Sequence, residues 1–570
     1  MSSTTCLFPI KAFEQGIYLW LPPESLVNLG AQNINKITKA ATMAVMEPGE
    51  TQHDAPVRME IQLWKGIHGG IAIPKTLVSK LPQDWNWDIE PGTEGENVKL
   101  SLGALKYLPV NLEPLQMEIL QAVRNAPTSG LIDAAMGAGK SWILIAIALG
   151  HPMLRPCAIS GKGEKDTKQL IDKLRDINKA HPEIAEPIML SGLGRTLSKK
   201  DKKVLEGGEG IVVCTHAGLK NLPPNVKLLV LDEAHAASTA KRISAIAAFR
   251  EIKKLYTLSG TASMRGDGGD EALSMLAGPT LTVKTHADFE AAGRVTPAQI
   301  NAYHFTGKGI YAENPYMPDQ TPQEGYSLHS TWVENHRGRH QFVADLLMWL
   351  PDNETKIVFV PHVLHAVRIQ AAVERKIKDI RGDLTRQQIE NLTPVIFHAK
   401  AEKNTKFYMS KEEREELIQA LIEGKIRSAI ATDFLSTGFD SNMIDHVIDA
   451  SGQKAIITNI QRSGRGVRIR TLPDGSQKIL QIHTILDKTH PVMHKMGESK
   501  LMALCGYYEH QIGVPTPDRL GGAQRFYEPP WIPVEDRAQT RLTDPHEVFR
   551  SKPDPAQQFN PADYRRPKKP

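Results

Sequence analysis

Cysteine is scarce. There are four in 570 residues, Cys6, Cys157, Cys214 and Cys505. No pair has CxxC spacing, which argues against the usual zinc and dithiol redox patterns and points to free thiols in a reducing compartment. Long apolar runs are missing as well: WILIAIAL at Trp142–Leu149 is far short of the about 20 residues that span a bilayer. The opening MSSTTCLFPI lacks the basic-then-apolar layout of a secretory signal. A cytosolic protein with no membrane partner is expected. Neither sign of charge dominates. With 69 Lys+Arg and 64 Asp+Glu the net charge is +5, which permits an anionic partner without requiring one.

What is present is alternation. Residues 1–105 mix strand-like and turn-rich stretches such as RMEIQLWKGIHGGIAIP at Arg58–Pro74, a small α+β block with room for a DNA-binding role. Over 106–290, short β-rich runs (GLIDAA, PCAIS, GIVVCT, KLLVLDEAH, KLYTLSGTA) alternate with helical stretches. Over 331–512 the pattern returns in KIVFVP, PVIFHA, RSAIATD, HVIDAS and KILQIHTIL. Such alternation predicts an α/β fold, parallel strands joined by crossover helices, in two blocks. Residues 291–330 read as a linker and the proline-rich 513–570, ending in RRPKKP, as a disordered or extended tail.

The stretch AAMGAGKSWI, Ala134–Ile143, follows an apolar strand and opens a helix. In that setting Gly137, Ala138 and Gly139 let backbone N–H groups approach an anion at a helix N-terminus. Lys140 would reach the β and γ phosphates of a nucleotide, and the Ser141 hydroxyl would ligate Mg²⁺. Ala134 stands where the strict phosphate-loop pattern has its first glycine, so a small-residue turn capping a helix is the alternative. A second feature narrows this. KLLVLDEAH places Asp232 and Glu233 at the end of an apolar run, where open α/β sheets bind ligands. Carboxylates at the edge of a core are costly unless they meet a cation. Asp232 suits Mg²⁺, and Glu233 suits the activation of a water.

These stretches resemble motifs I and II of the superfamily 2 helicases, and others follow in order. Gln116 in LEPLQ is similar to the glutamine that reads adenine. SGTA at Ser259–Ala262 looks like motif III, IATDFLSTGFD at Ile430–Asp440 like motif V, and QRSGRGVR at Gln461–Arg468 like motif VI. The resemblance covers roughly 110–490 and implies two tandem RecA-like parallel-sheet domains that use ATP and Mg²⁺. It implies Glu233, Arg465 and Arg468 as catalytic, with Asp440 in the nucleotide set. His235, Ser259, Thr261 and Gln461 would couple the motifs. Thr215, His216, Ser436, Thr437 and Gly438 would contact the nucleic-acid backbone. Arg465 and Arg468 lie three apart, which on a helix puts them on one face. Thr215 as a strand-end cap, and the arginines as a basic face with Arg462 and Arg470, are the alternatives.

DEAH, LEPLQ and SGTA together are closer to DNA-directed members of the UvsW and type III restriction kind than to RNA-directed ones. DNA is therefore the expected partner ahead of RNA. The expected function is an ATP-dependent DNA helicase or translocase; a motor subunit without unwinding of its own, and an RNA helicase, remain as alternatives. One stretch departs from the pattern: SGKGEKDTKQLIDKLRDI follows PCAIS, and its Lys162, Lys165 and Lys168 read as a solvated helix start. His362 and His365 have no further ligand nearby, so no zinc is expected. Trp64, Trp85 and Trp87 are expected in core positions.

Overall fold

The computed structural model describes residues 10–15, 17–47, 57–82, 84–91, 98–184, 186–190, 196–249, 251–261, 269–305, 332–398, 409–432, 441–452, 456–487, 491–508 and 524–526. They divide into two compact units, one reaching to Thr285 and the other starting at His286.

The first unit begins with β1 (Ile10–Gln15), β2 (Tyr18–Leu21), β3 (Thr42–Glu47), β4 (Val57–Gln62), β5 (Lys65–Ile67), β6 (Gly70–Pro74) and β7 (Trp87–Glu90). One sheet runs β5-β6-β2-β1-β7, and β3 pairs with β4 separately. The helix Pro23–Ala40 covers this block with Leu29 and Ile37 buried. Then come β8 (Leu131–Ala134), β9 (Cys157–Gly161), β10 (Ile188–Leu190), β11 (Ile211–Thr215), β12 (Leu228–Leu231), β13 (Lys254–Ser259) and β14 (Thr280–Lys284). Their order is β10-β11-β9-β12-β13-β8-β14, and every pairing is parallel. Four strands, β9, β11, β12 and β13, are buried at every residue. A parallel strand covered by helices on both faces has no solvent side, which is why these runs are continuous rather than alternating.

The boundary expected near residue 105 is not a break. Residues of the N-terminal sheet and of the parallel sheet belong to one apolar cluster, from Leu19 and Ile73 through Ile246 and Leu276. The Lys65 ammonium donates to the Phe249 carbonyl at 2.7 Å, and Lys80 pairs with Glu271 at 2.9 Å. Trp85 lies in this core, and Trp64 and Trp87 pack against it.

The second unit holds β15 (Ala298–Phe305), β16 (Thr355–Phe359), β17 (Val395–Phe397), β18 (Ser428–Ala431), β19 (Ile444–Asp449), β20 (Leu480–Asp487) and β21 (Gln524–Phe526). The order is β17-β18-β16-β19-β20-β15-β21, again all parallel. Two expectations change here. AQINAYHF, placed in the linker, is β15 and pairs with β20 along its full length; its asparagine, glutamine and histidine hid a strand with Ile300, Ala302 and Tyr303 buried. From the tail, Gln524–Phe526 pairs beside β15. Of the linker, residues 306–330 lie outside the described residues, as does the rest of the tail.

Candidate nucleotide site and motif residues

The loop after β8 owes its shape to two glycines. Gly137 and Gly139 have φ of 83° and 70°, left-handed values that glycine takes without steric cost. A Cβ on Gly139 would sit 2.3 Å from the Gln116 amide nitrogen, so that position also needs the smallest side chain. The helix Lys140–Leu149 starts at once and is anchored by seven consecutive buried residues from Ile143. Gln116 closes the loop from the other side. Its Nε2 donates to the Ala138 carbonyl at 2.9 Å, while its Oε1 accepts from the Glu113 N–H at 2.9 Å as part of a helix capping box.

Lys140 Nζ lies 3.6 Å from Glu233 Oε1 and 3.4 Å from the Ala134 carbonyl oxygen. Both are longer than a charge-assisted hydrogen bond of about 2.7–2.9 Å, so the ammonium is placed by two acceptors and gripped by neither. Glu233 itself has φ 50° and ψ 56°. For a non-glycine residue that conformation costs of order 1–3 kcal/mol and clusters at functional sites. Here it turns the chain from β12 into the helix Ala234–Ala237, with Asp232 Oδ1 accepting from the Glu233 N–H at 3.0 Å.

The electrostatics ask for a cation. Burial, and next the Glu233 charge, hold the Asp232 carboxyl well above its ordinary range, only partly offset by Lys140. Asp133, on β8 directly before the loop, is pushed up to about 6 by burial against the opposing pull of Lys140. Among the described residues no group of three or more His, Cys, Asp or Glu side chains could hold a metal alone. Mg²⁺ commonly takes one or two protein oxygens and completes its shell with phosphates and water. The Ser141 hydroxyl and the Asp232 carboxylate fit that donor set.

His235 meets three side chains, from the DEAH and SGTA stretches, at one atom. Its Nδ1 lies 3.2 Å from Glu233 Oε2, 3.1 Å from Ser259 Oγ and 3.3 Å from Thr261 Oγ1. An ionised carboxylate only accepts, so a bond to Glu233 requires the proton on Nδ1. Gly260, between the two hydroxyl residues, runs so close to the loop that a Cβ there would be 3.0 Å from the Ala134 carbonyl oxygen.

Two of the residues expected to contact a strand are buried. Thr215 is 7% and His216 1% exposed. The His216 ring faces inward, with Nδ1 2.8 Å from Ser160 Oγ, and burial, then Arg242, lower its pKa to about 3. This structure presents no His216 edge to a nucleic-acid strand. Ser436, Thr437, Gly438 and Asp440 lie outside the described residues. Lys165 and Lys168 are exposed on the helix Glu164–Ala180, as the composition suggested.

In the second unit the helix Ile456–Ser463 ends before Arg465, which sits on the turn Gly464–Gly466, and Arg468 follows beyond it. The two arginines therefore do not share a helix face: the glycines stop the helix between Gln461 and Arg468. Arg465 Nε donates to the Gln461 carbonyl at 3.1 Å, and Arg468 is exposed. The basic-face alternative fails for their neighbours. Arg462 is 0% exposed and meets Asp449 at 3.2 Å, while Arg470 pairs with Asp445. Asp449 also accepts from Lys500 at 2.8 Å. Burial alone would raise its pKa, but the Lys500 and Arg462 charges and the hydrogen bonds together hold it low. Lys478, 1% exposed, donates to the carbonyls of Asn442, Ile444 and Gly466.

Sequence reasoning passed over Asp133, Asp449, Lys478 and Lys500. Asp133 was the most visible, an acid inside LIDA one step from the loop. The others sit among apolar residues with no spacing signal.

Residues 343–470 match the helicase conserved C-terminal domain. No curated protein matches the sequence significantly. Among solved structures, the crystal structure of T4 UvsW is 17% identical, with 87% of this chain and 96% of that chain covered and a TM-score of 0.35. The S. cerevisiae Dbp5 structure bound to RNA and ADP BeF3 is 15% identical, covering 72% and 92%, TM-score 0.43. The ATP-dependent type ISP restriction-modification enzyme LlaBIII bound to DNA is 13% identical, covering 73% and 31%, TM-score 0.48. The matched segment contains β16 to β19 and the whole of Gln461–Arg468, so this part of the second unit is similar to the helicase conserved C-terminal domain.

Proposed function

We propose that this protein is an ATP-dependent DNA helicase or translocase of the cytoplasm. The observation that carries the reading is the Lys140–Glu233 pair at 3.6 Å. It brings the loop after β8 and the acidic end of β12 to one point, where a triphosphate would replace the carboxylate as the partner of the lysine. Gly137, Ala138 and Gly139 would offer backbone N–H groups to the phosphates. Ser141 and Asp232 would hold Mg²⁺, which would neutralise phosphate charge. Glu233 would orient the attacking water, and Gln116 and Asp440 would complete nucleotide recognition.

Arg465 and Arg468 would stabilise charge on the transferring phosphoryl group. His235, Ser259, Thr261 and Gln461 would pass the state of the phosphate to the elements that grip nucleic acid. Ser436, Thr437 and Gly438 would contact the backbone of the strand from the second unit, and Thr215 from the first. DNA is preferred to RNA on the DEAH, LEPLQ and SGTA combination.

The test is a panel of single-stranded, duplex, forked, four-way and RNA substrates scored for ATPase stimulation and strand separation. DNA-stimulated hydrolysis with unwinding of forked or branched DNA is expected. Stimulation by DNA without unwinding would favour a motor subunit of a larger assembly, and stimulation by RNA alone would overturn the DNA assignment.

A further inference from the structure

Arg465 and Arg468 leave the protein from a turn that is otherwise closed in. From Gln461 to Val467 every residue is buried except half-buried Arg465, and Arg468 follows exposed. Glycine lends a turn no stiffness of its own, so the neighbours of Gly464 and Gly466 have to fix it. The turn is pressed against β20: a Cβ on Gly466 would sit 2.4 Å from Leu480 Cδ1.

Two residues outside the motif hold this turn. Lys478, just before β20, is 1% exposed. Its Nζ donates to the carbonyls of Asn442 at 3.0 Å, Ile444 at 3.0 Å and Gly466 at 2.8 Å. An ammonium has three protons, and these three carbonyls take them. One side chain thereby ties the turn to the chain that leaves IATDFLSTGFD. A buried ammonium is costly; if packing were the only demand, a methionine would fill the place without that cost. Thr296, 0% exposed, works from the other side. Its N–H donates at 2.9 Å to the carbonyl of Val467, between the two arginines, and its hydroxyl donates to the Lys478 carbonyl.

Thr296 follows the helix His286–Ala291, which opens the second unit. His286 Nε2 meets the Thr296 carbonyl at 3.3 Å. The same ring packs edge-on against Tyr508, with centroids 4.7 Å apart, and the Tyr508 hydroxyl meets Ser463 Oγ at 2.8 Å. The first stretch of the second unit therefore reaches the arginine turn at both ends, Ser463 and Val467.

We propose that Lys478 and Thr296 are positioning residues for ATP hydrolysis, acting through Arg465 and Arg468 by holding their turn against the start of the second unit. The inference rests on the reading of those arginines as stabilisers of the transferring phosphoryl group.

Turnover, nucleotide affinity and urea unfolding are measured on the full chain, with ATP and a single-stranded oligonucleotide present for turnover. Lys478→Met is expected to lower kcat by about 10²-fold, the scale of a reacting group displaced by about 1 Å. Thr296→Val keeps the shape and loses one hydrogen bond, and should lower kcat by about fivefold; Thr296→Ser should restore it. Nucleotide affinity should hold in all three. In a chain that carries both Arg465→Ala and Arg468→Ala, read by single turnover with protein in excess, neither substitution should cost anything further, because groups acting through one another are not additive. A purely structural role would lower stability and leave that background as sensitive as the parent. Should Lys478→Met fail to fold by circular dichroism, Thr296→Val decides alone. Folded variants with wild-type turnover, or losses that repeat in full without the arginines, would overturn the proposal. Hydrolysis that needs the arginines and ignores Lys478 and Thr296 sinks this inference alone; hydrolysis that ignores the arginines sinks the reading beneath it as well.

Discussion

The two units use the same seven-strand parallel grammar and handle charge in opposite ways. In the first, the charged groups that matter stand at the strand ends, mostly buried but loosely held: Lys140 at 3.6 Å from Glu233, and Asp133 and Asp232 kept closer to neutral by burial. In the second, several charges are buried in ion pairs or on carbonyls: Arg462 and Lys500 on Asp449, Arg339 on Asp487 at 3.2 Å, and Lys478 on three carbonyls, although Arg339 Nη2 and Arg462 Nε are buried without a hydrogen bond. The lesson is about division of labour. A site that must exchange ligands leaves its charges under-satisfied. On the proposed function, a scaffold that presents exposed Arg468 and half-buried Arg465 would hold the surrounding charges in place instead.

That contrast can be broken by substitution, and the largest effect is expected on turnover. Lys140→Ala should reduce ATP hydrolysis to background, while Glu233→Gln should lower it by about 10²–10⁴ with nucleotide binding retained, as read by steady-state hydrolysis beside equilibrium binding. Lys140→Ala should not lower the melting temperature much, because its ammonium is gripped by neither of its two acceptors. Wild-type hydrolysis in Glu233→Gln would remove it as the water-activating group. Next in size is stability. Arg462→Ala removes a buried guanidinium with its ion pair to Asp449 and its hydrogen bond to Ser451, and breaking such a buried pair costs about 3–5 kcal/mol. Chemical denaturation should show that loss in the second unit, and a loss under about 1 kcal/mol would mean that water replaces the guanidinium.

Acid sharpens the comparison with a smaller effect. Burial holds His336 and His340 at about 4 and His365 and His483 well below the ordinary histidine value. Folded, they stay neutral, while the unfolded chain takes up protons below about 6.5. Their contribution is therefore whole above that pH and falls away as pH drops toward 4. The first unit has the same kind of group in His151 and His216, but its raised Asp133 acts with the opposite sign, gaining stability as pH falls from about 6 toward 4. Urea unfolding at pH 7 and pH 5, resolved by segment with hydrogen exchange, should show the second unit losing more. The smallest effect is expected from Tyr508→Phe. Its hydroxyl meets Ser463 Oγ at 2.8 Å, next to Arg462, and losing one such bond costs about 1 kcal/mol.

Much of this was legible in the sequence because parallel strands in a covered sheet are written as unbroken apolar runs. IVVCT and LLVL needed no partner to be recognised, and the glycines around Lys140 announce a close approach. What stayed hidden was long-range. AQINAYHF becomes a strand only through β20, and Asp449 becomes a structural acid only when Arg462 and Lys500 arrive from elsewhere in the chain. The helix face expected for Arg465 and Arg468 was lost to Gly464 and Gly466, local residues whose helix-breaking effect outweighed the spacing. His216 was read as a surface contact because its motif position says nothing of burial; Ser160 and Arg242 decide it.

The most direct test sets two neighbouring arginines against each other. In Arg468→Ala and Arg462→Ala, ATP turnover, nucleotide affinity and unfolding free energy are measured side by side. The account predicts that Arg468→Ala loses turnover while affinity and stability hold, and that Arg462→Ala loses stability first. A stable Arg462→Ala, together with an Arg468→Ala that loses affinity and turnover equally, would contradict it.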